Sequence, residues 1–134
     1  MPVALDTSGL VARYLGGPTR AVVLDAMAAD PDWCTSALAL SEALALVERV
    51  TELASERVAL RRAILDDTDR LWVVPVDQRC LDRASDLGRE HPLRTVDAIH
   101  LAAADRLPRP LTYVTFDPRQ IPTALALGFH IAST

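Results

Sequence analysis

The stretch Val3-Ala4-Leu5-Asp6-Thr7-Ser8 constrains the fold more than any other, because three apolar residues lead straight into an acid and two hydroxyls. An apolar run without polar alternation fits a strand covered on both faces, as in the middle of a parallel sheet with helices on either side. In open sheets of that kind, ligands bind outside the carboxyl ends of the strands, where the strand order reverses. Asp6 is therefore expected at a binding edge. Which other acids arrive at the same edge decides what the chain can do.

Downstream of Ser8, helical and extended segments alternate. Helices are expected over 9–15 and 19–29, parted by Gly16-Gly17-Pro18, and a brief strand at Trp33-Cys34-Thr35. Ser36 is a good N-cap for a helix over 37–50. An arginine-rich helix over 55–67 has Val58, Leu60, Ile64 and Leu65 as its apolar side. A strand over 71–76 contains Pro75, which an outer strand tolerates. Asp77 caps the next helix, Thr95 that over 95–104, and a strand over 111–116, a short helix to Leu127 and a strand over 129–131 complete the chain. This alternation predicts one α/β domain over 1–134, with five parallel strands forming a central sheet flanked by helices. A chain of 134 residues, half of them hydrophobic, can bury one such core.

Composition removes several function classes. Cys34 and Cys80 have no ligand-like spacing and are expected as buried free thiols in a reducing compartment. Neither a signal-like start nor a membrane-length apolar run occurs, so a soluble, cytoplasmic protein is expected. Lysine is absent and all fourteen basic residues are arginine. A phosphoacceptor receiver domain needs a lysine, a P-loop needs Gly-Lys-Ser/Thr, and a haloacid-dehalogenase-like phosphatase needs a second acid where Ser8 stands. With eighteen acids in all, four gathered in one site leave fourteen, so the negative charge would be concentrated there. Such a balance does not suit a general high-affinity nucleic-acid binder.

Three acids are expected to share the strand-end edge: Asp6, Asp97 in the first turn of the helix from Thr95, and Asp117 after the strand over 111–116. Asp97 and Asp117 also have ordinary readings, the first as a helix-start charge and the second as a helix N-cap. The helix bearing Asp97 is apolar nearly all round, and a buried acid at its start needs a partner. Glu42 falls on the flank of its helical wheel, beside Arg49 and Leu38, which makes it a solvated glutamate by pattern. His100 suits a satisfied core histidine better than a ligand, since no second histidine or cysteine is spaced to join it. A carboxylate cluster without thiols or a histidine pair is a hard-oxygen site, suited to Mg²⁺ or Mn²⁺ and able with them to hydrolyse a phosphodiester. Mutual repulsion among the acids also predicts that Asp97→Asn folds at least as stably as the wild type without metal.

Four motifs carry a resemblance: Leu5-Asp6-Thr7-Ser8, Ser41-Glu42, Arg94 to Ala102 (RTVDAIHLA), and Thr115-Phe116-Asp117. Their order and separations resemble the PIN-domain ribonucleases, in particular the VapC-type toxins of toxin–antitoxin pairs, over essentially the whole chain. The resemblance implies a three-layer PIN-like fold in which Asp6, Glu42, Asp97 and Asp117 are the catalytic, metal-binding quartet for Mg²⁺ or Mn²⁺. Ser8 and Thr115 are then hydroxyls beside it. It further implies endonucleolytic cleavage of RNA, inhibition by a cognate VapB-type antitoxin, and a homodimer. The competing expectation is a non-catalytic PIN-fold interaction module whose acids are caps and surface charges.

Overall fold

The structure is a computed structural model describing residues 1–134. Five strands form one parallel sheet: β1 (Val3–Leu5), β2 (Trp33–Ser36), β3 (Leu71–Val74), β4 (Thr112–Val114) and β5 (His130–Ala132), in the order β3-β2-β1-β4-β5. β1 lies at the centre. The chain steps outward from β1 through β2 to β3, then crosses back to lay β4 against the other side of β1. That reversal is the switch point at which a crevice opens beyond the strand ends. β3 is an outer strand, as Pro75 allowed.

β1 alternates between two cores. Val3 and Leu5 join Leu10, Val23, Met27, Val47 and Ile64 on one face, while Ala4 joins Leu87, Leu101, Tyr113 and Phe129 on the other. The helices α1 (Thr7–Ala12), α2 (Pro18–Ala28), α3 (Ala37–Val50) and α4 (Ala54–Thr68) supply the first core; α5 (Gln78–Glu90), α6 (Thr95–Asp105) and α7 (Ile121–Ala126) supply the second. α6 is the most enclosed, with every residue from Asp97 to Ala104 buried. The apolar composition all round that helix follows from this placement between the sheet and α5.

Some boundaries and faces differ from the expectation. α1 starts at Thr7, two residues early, because Asp6 itself caps it by accepting from the Gly9 N–H at 2.7 Å. α6 is capped by the extended backbone of Arg94, not by Thr95, so Thr95 is its first helical residue. On α4 only Ile64 is buried; Val58 and Leu65 face outward, because α4 meets the rest of the domain along the narrow line of Leu60 and Ile64. Gly9 is needed where it stands, since a Cβ there would lie 2.5 Å from the Val114 carbonyl oxygen. This close approach seats α1 directly over the end of β4.

Candidate active site

A cleft of about 270 Å³ opens at the carboxyl ends of the strands, and Asp6, Glu42, Asp97 and Asp117 all line it. They come from four separate segments: the end of β1, the second turn of α3, the first turn of α6, and the loop after β4. Asp6 and Asp97 are buried, each 1% exposed, whereas Glu42 and Asp117 are partly open to solvent.

Asp6 is the most constrained of the four. Its Oδ1 accepts from Ser8 Oγ and the Gly9 N–H, both at 2.7 Å, and its Oδ2 accepts from Thr115 Oγ1 at 2.7 Å and Gln120 Nε2 at 3.1 Å. Four donors fill the acceptor capacity of a carboxylate. Burial still pushes its pKa up, against the lowering effect of the Thr115, Gly9 and Ser8 hydrogen bonds. Ser8 and Thr115 do more than donate. The Ser8 hydroxyl accepts from the Phe116 N–H at 2.9 Å and that of Thr115 from the Asp117 N–H at 3.1 Å, so both tie β1 to the loop after β4.

Gln120 was not singled out by the sequence, yet it bridges two of the acids. It is 2% exposed, and its Nε2 donates to Asp6 Oδ2 and Asp97 Oδ1, each at 3.1 Å. The amide orientation is fixed by Tyr113, whose hydroxyl donates to Gln120 Oε1 at 2.6 Å. Burial, then the charges of Asp6, Asp97 and Asp117, push the Tyr113 phenol well above its ordinary pKa, which keeps this proton in place. A lone glutamine three residues past Asp117 carries no pattern that would have marked it.

Glu42 does not lie in open solvent, although its wheel position suggested it. Its Oε1 accepts from Thr7 Oγ1 at 2.5 Å and lies 3.0 Å from His100 Nε2, and its side chain is 35% exposed. The wheel centres the apolar stripe of α3 on Ala43, Val47, Leu40 and Val50, of which Ala43 and Val47 are buried together with Ala39 while Val50 is exposed; the flank that carries Glu42 abuts α1 and α6. His100 is buried, as expected of a core histidine, with Ser36 Oγ at 3.1 Å from its Nδ1. The Glu42 carboxylate can only accept, so the His100 Nε2 that faces it carries a proton and donates. Ser36 Oγ lies beside Nδ1 and accepts the Ala39 N–H, so His100 is set between Ser36 and Glu42 and holds that carboxylate from below.

Arginines answer part of the negative charge. Arg94 grips Asp97 through Nε to Oδ2 at 2.9 Å and Nη2 to Oδ1 at 3.0 Å, and Nη2 reaches Asp117 Oδ2 at 3.3 Å. Arg119 donates to Asp117 through its backbone N–H at 3.0 Å and through Nε at 3.1 Å. Burial pushes the Asp117 carboxyl up, but Arg119 and Arg94 together outweigh it and hold the pKa below the usual range. The site is therefore less negative than four acids alone, which corrects the expected concentration of charge. It also overturns the basis for expecting Asp97→Asn to be as stable as the wild type: Asp97 is paired with a guanidinium, not left to repulsion.

The residue set fits a hard divalent cation. The cleft offers carboxylate oxygens from four directions and no thiolate, and it already draws a guanidinium onto Asp97 and Asp117. No three of the His, Cys, Asp and Glu side chains are gathered as direct ligands of one ion, since Gln120 separates Asp6 from Asp97 and Arg94 covers Asp97. A bound ion would reach some of them through water, or after Arg94 has moved.

Comparison with known proteins agrees with this architecture. The PIN domain family matches residues 3–124. Ribonuclease VapC47 of Mycobacterium tuberculosis (strain CDC 1551 / Oshkosh) is 31% identical over 136 residues, spanning 98% of this chain and 96% of that protein. Among solved structures, DNA-bound VapBC from Salmonella typhimurium matches with a TM-score of 0.71 at 19% identity, covering 99% of this chain and 98% of that one. Mycobacterium tuberculosis VapC20, a sarcin–ricin loop cleaving toxin, matches with a TM-score of 0.70 at 20% identity, covering 90% and 94%. The two structures establish the likeness of fold, and the family and sequence matches carry the kinship: the chain belongs to the PIN-domain family, on its VapC ribonuclease side.

Proposed function

We propose that this protein is a Mg²⁺- or Mn²⁺-dependent endoribonuclease toxin whose metal is held by Asp6, Glu42, Asp97 and Asp117 and whose activity a cognate VapB-type antitoxin neutralises. The observation that carries the reading is the convergence of four acids, from four separate segments, on one cleft at the switch point of the sheet. Caps and surface charges, as an interaction module would have, give no reason for a buried glutamine to bridge two of them. Kinship with Ribonuclease VapC47 supports RNA as the substrate, and the VapBC complexes support the antitoxin partner. A homodimer acting in the cytoplasm completes the proposal; no helix is long and apolar enough to cross a membrane.

Each residue has a definable part. Asp6 and Asp97 form the buried floor, positioned by Ser8, Thr115 and Gln120. Glu42 lines the cleft with its Oε1 held by Thr7 and His100, which leaves its other oxygen to accept a proton from water. A divalent ion in this set would supply water activation and neutralise charge on the phosphodiester. His100 has both ring nitrogens engaged, and His91 and His130 lie outside the cleft lining, so no histidine pair is placed for acid–base transfer through the ribose 2′-hydroxyl.

The test is cleavage of a structured RNA by purified, antitoxin-free protein, with and without EDTA. Water as nucleophile leaves 5′-phosphate and 3′-hydroxyl ends, and EDTA stops the reaction. Cleavage that persists in EDTA, or that leaves 2′,3′-cyclic ends, refutes the metal mechanism. Failure to cut any RNA favours the interaction module.

A further inference from the structure

We infer that Arg94 is a built-in competitor for the divalent cation: its guanidinium is the counter-ion of Asp97 and Asp117, and metal loading requires that it leave. The inference rests on the proposed metal role of the quartet and adds what sets the affinity of that site.

The contacts of Arg94 separate it from every other donor in the cleft. Ser8, Thr115 and Gln120 are neutral, and Thr115 and Gln120 are fully buried, so they solvate the carboxylates without cancelling a charge. Arg94 brings a full charge and binds both oxygens of Asp97, the bidentate geometry in which guanidinium–carboxylate pairs are strongest. Asp97 is 1% exposed and the guanidinium lies over its solvent side, so a hard cation that binds those oxygens directly takes the place Arg94 now fills. The two cations therefore compete for Asp97, and their affinities are linked: whatever the Arg94 pair contributes is subtracted from metal binding.

The guanidinium is also able to leave. Its side chain is 57% exposed while that of Asp97 is 1% exposed, so it covers the acid from the solvent side and no core contact opens when it turns away. Its backbone, extended at the N-cap of α6, stays in place meanwhile. Gln120 has no such freedom, pinned by the Tyr113 hydroxyl below. Arg119 differs in another way: it binds only Asp117, two residues before it, and leaves Asp97 untouched.

The experiment measures Mn²⁺ binding by electron paramagnetic resonance on the full-length protein, stripped beforehand with EDTA, for the wild type, Arg94→Ala, Arg94→Gln and Arg119→Ala. Arg94→Ala should bind Mn²⁺ about tenfold more tightly than the wild type, the effect of freeing one such charged pair. Arg94→Gln should tighten binding in the same direction, and it serves as the measure if the alanine variant folds poorly. Arg119→Ala should change affinity less than either. In the wild type, the Arg94 Nε–H resonance should move away from its hydrogen-bonded position as Mg²⁺ is added. Unchanged or weaker Mn²⁺ binding in both Arg94 variants, with the wild type binding normally, overturns the competition and leaves the metal site standing. Equal tightening in Arg119→Ala overturns it too, as mere loss of positive charge. Absence of Mn²⁺ binding in all four proteins overturns both the competition and the metal-site reading beneath it.

Discussion

The floor and the rim of the cleft hold their carboxylates by opposite means. At the floor, Asp6 is surrounded by neutral donors, two of them from the start of the helix it caps and two from the loop after β4. At the rim, Asp117 and the outer side of Asp97 are met by guanidinium groups that are themselves more than half exposed. Neutral buried donors fix a geometry without neutralising the charge, whereas exposed cations neutralise it and can exchange with solvent or another ion. The floor is thus built by the fold, and the rim by replaceable partners. A site that must stay negative enough for a cation, yet not repel its own chain apart, has reason to use both.

The largest expected effect comes from breaking the floor at its charge. Asp6→Asn keeps the size of the side chain and can keep the Gly9 cap, but it removes the central carboxylate. RNA cleavage should fall by more than the ~100-fold that loss of even an outer-sphere partner of a metal can cost. Retention of near wild-type rates, measured at saturating Mn²⁺ on a correctly folded variant, would remove Asp6 from the catalytic set.

Next in size is breaking the floor without touching a charge. Gln120→Leu is close in volume but takes a partner from three groups at once: Asp6 Oδ2 and Asp97 Oδ1 each lose one of two donors, and the buried Tyr113 hydroxyl loses its acceptor outright. Leaving buried polar groups unpaired costs about 1–3 kcal/mol, so the urea midpoint should drop clearly in metal-free buffer. An unchanged midpoint would mean that water replaces the amide and that the floor is less closed than its burial suggests.

Floor and rim were not equally legible in the sequence. Asp6 and Asp117 could be placed because a strand of apolar residues followed by an acid fixes both the strand end and the edge it faces, and the parallel order then brings the two ends together. Glu42 could not be placed by pattern, because a helical wheel ranks positions by hydrophobicity and carries no knowledge that α1 and α6 flank the polar side. Only the likeness of its motif to a known family pointed inward. Gln120 and Arg94 escaped altogether as site residues: each acts on partners that are remote or set by a turn, and neither residue type has a periodicity to betray it. Likewise Thr95 was a sound cap by type, yet Arg94 took that place, which is what brings the guanidinium over the first turn and onto Asp97.

The smallest effect sharpens the comparison most, because it tests the rim through its sensitivity to salt. Asp97→Asn removes the charge that Arg94 binds but leaves an oxygen able to accept from Gln120, so the floor contact survives while the rim pair does not. In metal-free buffer at low salt, a loss of about 4 °C in Tm is expected, the size of shift that a modest free-energy change produces in a domain of this length. In about 1 M NaCl the screening length falls to about 3 Å, and a pair with one exposed partner should be weakened. The gap between Asp97→Asn and the wild type should then narrow, whereas the deficit of Gln120→Leu, which arises from buried neutral donors, should persist. A gap for Asp97→Asn that is as wide in high salt as in low salt would place Asp97 with Asp6, held by the fold and not by an exchangeable cation.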